Sequence, residues 1–381
     1  MTVKKKKQSK AKRKASIPTR LMFIVNIFFI VMLLLSYLSM YVSPEKFWPL
    51  AFAGLAYPAF LLANMFFLLF WLVFLKKYYL YSLFTILLGF NQLHTFFRFG
   101  GRSNAPKVEN AIKVMSYNVR LFDLYNWRSA SSTSTRFSIF DLIYSESPDI
   151  LCIQEYYSGS KMKSDYSDSI SLKGGYKYRY IELIGKETGN LPFGLAIFSR
   201  YPVVNAIKLD FPNSKVNFCI GCDVKIGIDT LRVLNLHLES VKFGKEDYNF
   251  VSEIANLPQN NDKLTKASRA IFGKMKNAYI KRAPQIETVV EFLNKSPYPV
   301  ILTADFNDTP VSYCYRQMSN ELEDAFTDAG KGFGQTYAFV LPLLRIDYLF
   351  HSESLKVTDL KTIKKDYSDH YPLIAHVLLP E

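Results

Sequence analysis

Eight polar residues stand where apolar runs end. Asn118 lies in VMSYNVRLFD (114–123), Glu155 closes PDILCIQE (148–155), and His237 interrupts VLNLHLES (233–240). Asp305 and Asn307 follow in PVILTADFNDTP (299–310), Asp347 in RIDYLF (345–350), and Asp369 with His370 in YSDHYPL (367–373). A single Asp or Asn at such a place is usually a turn former. A set of eight is a stronger signal, because a buried charge is costly unless it is paired or binds a metal. The chemistry these groups suit is metal-assisted attack on phosphorus. Glu155 and Asp369 offer hard carboxylate oxygens and Asn118 a carbonyl, a donor set for Mg²⁺, which keeps waters and takes one or two carboxylates plus a substrate phosphate. Mn²⁺ is the natural substitute. His237 and His370 can act as acid, base or donor to phosphoryl oxygens. Asp305 and Asn307 can orient a water, and Asp347 can hold a histidine in one tautomer.

These groups need strands that end together. The runs 112–118, 149–154, 193–199, 216–226, 231–238, 299–305, 346–351 and 372–379 are rich in Ile, Val, Leu and Phe and predict strands. Helices are expected over 133–146 and 263–294. The pattern is mixed α/β with several hairpins, and an α/β fold places its active-site groups at strand C-terminal ends. Polar stretches 129–134 and 158–171 read as loops. Cys219 and Cys222 sit three apart in a strand, on opposite faces, so they read as buried structural residues and not as a metal or redox pair. His351 is expected to face solvent or a neighbouring loop, His376 to be structural, and His94 to lie near a membrane surface without a partner.

The motifs, in this order, resemble the endonuclease/exonuclease/phosphatase superfamily of DNase I-like, metal-dependent phosphoesterases, and the run GLAIFSRYPV (194–203) adds to the likeness. The resemblance covers 110–379 and implies a four-layer α/β sandwich, two packed mixed β-sheets flanked by helices. It implies that Glu155 binds the catalytic metal with Asn118 nearby and Asp369 at the metal or its shell. It further implies that His237 and His370 flank the scissile phosphate, that Asp347 pairs with His370, and that Asp305 and Asn307 position or activate the attacking water. The abasic-site endonuclease branch carries an acid two residues after the first Asn. Here Arg120 stands there, which makes it a candidate phosphate contact, with Asn307 a second substrate-binding residue. Arg282 and Gln285 read as a helix-to-sheet packing contact. Arg345 stays open between a phosphate contact and a structural ion pair.

Charge and hydropathy divide the chain further. Of its net +14, residues 1–20 contribute +9, 21–105 contribute +4, and the remainder +1. The bulk of the protein is therefore almost neutral, and its basicity is no argument for gripping long nucleic acid. Three uncharged runs, Leu21–Pro44, Phe47–Leu75 and Tyr78–Phe97, are each long enough to cross a bilayer, which takes roughly 20 residues. The expected organisation is a basic cytoplasmic tail (1–20), three transmembrane helices (21–99), a linker (100–109) and the catalytic domain (110–381). Nine bases in the tail plus Lys76 and Lys77, against Lys46, Arg98 and Arg102, put the N-terminus inside a bacterial inner membrane and the catalytic domain outside the cytoplasm. The function expected is hydrolysis of phosphodiesters or phosphomonoesters, nuclease-like. The alternatives are a phospholipid or sphingolipid headgroup phosphodiesterase and, from another class, an inactive membrane-tethered scaffold. The partners expected are a phosphate-ester substrate (nucleic acid or lipid headgroup) and the bilayer, with no obligate protein partner.

Overall fold

The computed structural model describes residues 16–100, 110–126, 132–159, 166–185, 192–244, 247, 261–338 and 344–380. Most of the basic tail and nearly all of the expected linker lie outside them, as do parts of the two polar stretches. Among the described residues, twelve strands form two six-stranded sheets. In the first, β1 (Ile112–Asn118) pairs in parallel with β2 (Ile150–Tyr157). Around this pair lie β3 (Tyr178–Ile184), β4 (Phe193–Ser199), β11 (Lys356–Thr362) and β12 (Leu373–Leu378), in the order β11-β12-β1-β2-β4-β3. The second sheet comprises β5 (Val203–Asp210), β6 (Phe218–Ile226), β7 (Asp229–His237), β8 (Val300–Asp305), β9 (Glu323–Asp324) and β10 (Asp347–His351), in the order β5-β6-β7-β8-β10-β9. The parallel pair β7–β8 sits at its centre.

Burial explains the sequence of these strands. Central β2 and β8 have apolar residues on both faces because both faces are covered, whereas β5 alternates and is half exposed. Val114, Ile150, Cys152, Ile220, Cys222, Val233 and Ile301 fill the space between the sheets. The outer face of the first sheet packs on α7 (Ser132–Glu146) and near α8 (Tyr166–Gly174) through Met115, Ile139, Ile143 and Ile170. The outer face of the second sheet packs on α9 (Asn261–Leu293) and α10 (Tyr313–Ser319); a short α11 is Ala325–Ala329. Cys219 and Cys222 point to opposite faces of their strand, Cys219 into this outer core and Cys222 into the core between the sheets, and burial pushes the Cys222 thiol up to about 12. The stretch read as a loop over 158–171 contains the start of α8, whose polar sequence hides a buried Tyr166 and Ile170.

The N-terminal region is helical: α1 (Ile17–Leu38), α2 (Pro44–Phe47), α3 (Pro49–Leu55), α4 (Tyr57–Val73), α5 (Tyr79–Leu88) and α6 (Phe90–Phe96). Three uninterrupted spans are not what forms. Among the described residues, α1 is the one straight helix long and apolar enough to cross a bilayer. The second run bends by 61° between α3 and α4. Pro58 has no N–H to bond the Gly54 carbonyl and its ring would clash with it, so the helix breaks at Ala56 and restarts with the proline in its first turn. The third run breaks at Gly89, where any Cβ would lie 2.1 Å from the Tyr37 ring. These helices share one apolar cluster with the second sheet: Leu33, Tyr37, Met40, Tyr57, Leu61 and Phe96 pack with Phe306, Val311, Tyr315 and Phe350. Gly54 is required for this approach, since a Cβ there would meet the Val311 carbonyl at 2.3 Å. Arg98 and Gly332 exchange backbone hydrogen bonds of 2.9 Å.

Candidate active site

The parallel pairs β1–β2 and β7–β8 end on the same side of the sandwich. The register sets Asn118 beside Gln154, His237 beside Asp305, and Asp347 opposite Asp305. Glu155 is aimed by a bulge: the β2–β4 register shifts between Ile153 and Tyr156, and Glu155 adopts φ 49°. Left-handed backbone at a residue with a Cβ is strained, and such strain clusters at functional sites. A buried polar bridge fixes the two sheets beneath the site. Gln154 Nε2 donates to Asn235 Oδ1 at 2.7 Å and Asn235 Nδ2 to the Ile153 carbonyl at 2.9 Å.

All eight strand-end residues converge. Asn118 Nδ2 donates to Asp305 Oδ2 at 2.8 Å and faces Glu155 Oε1 at 3.4 Å, while its Oδ1 accepts the Arg120 amide at 3.0 Å. Asp305 Oδ1 accepts the Asn307 amide at 2.8 Å. His237 Nε2 lies 3.5 Å from Asp305 Oδ2, 3.7 Å from Glu155 Oε1 and 3.2 Å from Asn307 Nδ2. His370 Nδ1 donates to Asp347 at 2.9 Å, and its Nε2 lies 3.8 Å from Asp305 Oδ2 and 4.0 Å from Asp369 Oδ1. Arg120 lines the cleft and pairs with Asp369 at 3.1 Å.

Electrostatics follow from burial. Burial raises the Glu155 carboxyl, with Asp369 and Asp305 adding to the effect against His237 and His370. Asp305 is raised too, by burial and by Asp347, against His370 and His237. Burial works against charge on His370, but Asp347, Asp305 and Asp369 raise it well above the ordinary histidine value. Carboxylates crowded this way are relieved by a cation, and oxygen donors without a thiol suit a hard divalent one. Asp305, Asp347 and His370 bring ligand atoms within 4.8 Å of one another, but His370 spends Nδ1 on Asp347. Glu155, Asp308 and Asp369 are the carboxylates that line the open cleft among the described residues, and Asp308 faces the Arg282 guanidinium at 3.8 Å.

Other expectations resolve as contacts. Arg282, 1% exposed, donates to the Asn307 and Phe306 carbonyls, and Gln285 Oε1 accepts the Glu239 amide at 2.9 Å, so the helix tethers the loops after β7 and β8. Arg345 is a structural residue, buried against Asp324 at 2.7 Å. His351 is fully buried and hydrogen-bonded to Asp328 at 2.8 Å, against the expectation of solvent or a loop, because α11 covers that strand. His376 faces Asp359 at 3.6 Å, and His94 contacts Arg98. Three positioning residues carried no signal in the sequence. Asn217 Nδ2 lies 3.3 Å from His237 Nδ1, and the Thr336 hydroxyl accepts the Asp347 amide at 3.0 Å. The Tyr337 ring meets His370 edge-on at 5.5 Å. Each stands in a loop remote in sequence from its partner.

A family model described as the endonuclease/exonuclease/phosphatase family matches residues 115–370, well over half of the chain. The chain belongs to the endonuclease/exonuclease/phosphatase family. It therefore carries the fold of metal-dependent phosphoester hydrolases. A second family model, a domain of unknown function, matches 19–96. Among solved structures, the human Nocturnin catalytic domain with bound sulfate is similar at 17% identity and TM-score 0.50, covering 70% of this chain and 94% of that one. A family protein from Beutenbergia cavernae matches at 17% identity and TM-score 0.48, covering 71% and 72%. Another from Bacteroides thetaiotaomicron matches at 19% and 0.47, covering 71% and 98%. At 17% identity the likeness to the Nocturnin domain speaks for the fold alone. No curated protein matches the chain.

Proposed function

We propose that the chain hydrolyses a phosphate ester with a divalent cation, Mg²⁺ or Mn²⁺, held by Glu155 and Asp369, with Asn118 orienting Glu155. The observation that carries this reading is the convergence of Glu155, Asp305–Asn307, His237 and the Asp347–His370 pair from two sheets onto one cleft. The cation, when bound, supplies Lewis-acid polarisation of a phosphoryl oxygen. Asp305, fixed by the Asn118 amide and the Asn307 backbone, takes a proton from the attacking water, and Asn307 aligns that water. The water oxygen bonds to phosphorus as the ester P–O bond breaks, and the leaving oxygen takes its proton from solvent on the open side of the cleft. His370, held by Asp347, and His237, steadied by Asn217, donate to the phosphoryl oxygens where charge develops. The test is turnover of bis-p-nitrophenyl phosphate by the full chain with Mg²⁺, Mn²⁺ or EDTA. Glu155→Gln should lose at least about 10²-fold in kcat with its circular dichroism unchanged; metal-dependent turnover at the wild-type rate would remove Glu155 from the site.

The helical region is proposed to lie in a bilayer, with the N-terminus cytoplasmic and the catalytic domain outside. Its polarity is inverted, which supports the reading: Asn26, Asn64 and Ser82 are buried among the helices, while Leu21, Phe28, Leu69 and Phe84 face out. Asn26 Nδ2 donates to Ser82 and Trp71 Nε1 donates to Asn26, bonds that join α1, α4 and α5. Phe23 stacks on Tyr78 at 4.4 Å, which sets the start of α1 beside the Lys76–Lys77 turn, while the ends of α1 and α6 meet the catalytic domain. The start of α1 and the Lys76–Lys77 turn thus share one end and the proposed enzyme stands at the other.

A further inference from the structure

The cleft that holds Glu155, Asn307, Asp369 and His370 does not end at the polar groups. The whole cleft, about 390 Å³, continues along Leu55, Val241, Phe243, Ile271, Met275 and Leu344. Ile271, Met275 and Tyr279 stand four apart on α9 and so form one stripe along the cleft. Leu55 comes from the N-terminal helices, at the 61° bend between α3 and α4. One wall of the cleft is thus built by the region whose outer surface is apolar. Beside it, Phe47, Trp48 and Phe272 are exposed; Phe52 links the last two, 5.8 Å from Trp48 and 5.1 Å from Phe272, and Lys276 Nζ lies 4.9 Å above the Trp48 ring. Exposed aromatics and a lysine around the end of apolar helices are the composition of a membrane–water interface.

We infer that the substrate is an amphipathic phosphoester of the bilayer, a phospholipid whose phosphate sits at Glu155 and His370 while an apolar chain lies along Leu55, Ile271 and Met275. The inference rests on the phosphoesterase reading above and names its substrate class. The cations that line the cleft among the described residues argue against a nucleic-acid polymer. Arg120 is paired with Asp369 at 3.1 Å, Lys242 with Glu239 at 2.8 Å, and Arg282 is spent on the Asn307 and Phe306 carbonyls. Gripping successive phosphates takes several Lys or Arg.

The test uses the full chain in detergent with Mg²⁺ and a series of p-nitrophenyl alkyl phosphodiesters from methyl to octyl, beside a single-stranded oligonucleotide. Each methylene that enters an apolar site raises kcat/KM by up to about fourfold, so the octyl ester should exceed the methyl ester by at least about tenfold. Met275→Asp should collapse that octyl-to-methyl ratio; Ile271→Ser does the same if the first variant fails to fold, with folding read from thermal melts. Vesicles of phosphatidylethanolamine and phosphatidylglycerol should release headgroup or diacylglycerol. A flat series with EDTA-sensitive turnover overturns the apolar subsite and leaves the phosphoesterase reading standing. Preferred turnover of the oligonucleotide overturns the lipid assignment, and turnover of the octyl ester without vesicle lipid overturns the bilayer as source. No turnover of any ester by folded protein overturns both readings.

Discussion

Arg345 stands at the contact between the helical region and the catalytic sheet, and replacing it gives the clearest separation of the two roles its sequence allows. The side chain is 3% exposed; Nη1 lies 2.7 Å from Asp324 Oδ2, Nη2 donates to the Thr95 carbonyl at 2.8 Å, and the guanidinium covers the Phe326 ring at 4.3 Å. Arg345→Met conserves much of the volume but leaves the Asp324 carboxylate buried without its cation. Breaking a buried pair this way costs about 3–5 kcal/mol. The Tyr315 hydroxyl at 2.8 Å and the Phe326 amide at 3.0 Å still bind Asp324, which pulls the cost toward the lower end, while the lost bond to Thr95 pushes it back. At roughly 2–4 °C per kcal/mol for a large domain, a cost of about 4 kcal/mol lowers Tm by roughly 8–16 °C. The double variant Arg345→Met/Asp324→Asn removes the stranded charge and should recover at least half of that loss. The assay is a melt of the full chain in detergent, followed by tyrosine and tryptophan fluorescence, together with kcat and KM measured well below Tm. A Tm within 2 °C of wild type combined with a tenfold higher KM would refute the structural role and make Arg345 a phosphate contact.

Asp347→Asn keeps the shape around His370 but removes the nearest of the three carboxylates that hold its imidazole protonated against burial. Because a raised pKa keeps the cationic form present up to higher pH, the variant should lose activity from the alkaline side, its limb moving to lower pH, with kcat down by about 10²-fold; an unmoved limb would contradict the pairing. For Asp223, burial works to raise the carboxyl, but Arg232 at 2.7 and 3.0 Å and Asn205 hold it below the usual range. Its stabilisation is present above the ordinary Asp value and is lost as pH falls through the depressed folded value, so Asp223→Asn should flatten the acid limb of Tm against pH. A reporter fused after Glu381 should be active only outside the cytoplasm, and cytoplasmic activity would reverse the proposed topology.

What the sequence reveals about the fold follows from burial. Strands 112–118 and 193–199 coincide with β1 and β4, because strands covered on both faces read as unbroken apolar runs. β3, β5 and β11 were invisible for the opposite reason: each is half exposed, with residues such as Arg179, Lys208 and Lys361 on its outer face, so neither periodicity nor composition stands out. The eight polar strand ends were legible because carboxylates and imidazoles rarely close an apolar run without purpose. Their supports were not. Asn217, Thr336 and Tyr337 act on partners 20, 11 and 33 positions away, and nothing in a loop sequence marks which strand end it will face. Likewise Pro49, Pro58 and Gly89 were visible as residues, but the breaks they cause depend on what the helices pack against.

The division between anchor and enzyme that charge and hydropathy suggest is not where the packing divides. Leu33, Tyr37, Met40, Tyr57, Leu61 and Phe96 belong to the same core as Phe306, Val311, Tyr315 and Phe350, so the N-terminal helices serve, with α9 and α10, as the outer layer over the second sheet. Burying an apolar side chain contributes about 1.5–3 kcal/mol, so six of them amount to about 9–18 kcal/mol, comparable to a domain's whole net stability of about 5–15 kcal/mol. A catalytic piece cut free near residue 106 would therefore expose the sheet face behind Asp305 and lose the Ser39–Val311 and Arg345–Thr95 bonds. The same packing fixes the height of the cleft. Leu55 lines it and Gly54 is pressed against the Val311 carbonyl, so the distance from the apolar helices to Glu155 and His370 is set by a close-packed contact and not by a flexible linker. An enzyme held this way would work on phosphate at one depth relative to its helices, as the proposed bilayer phosphoester requires.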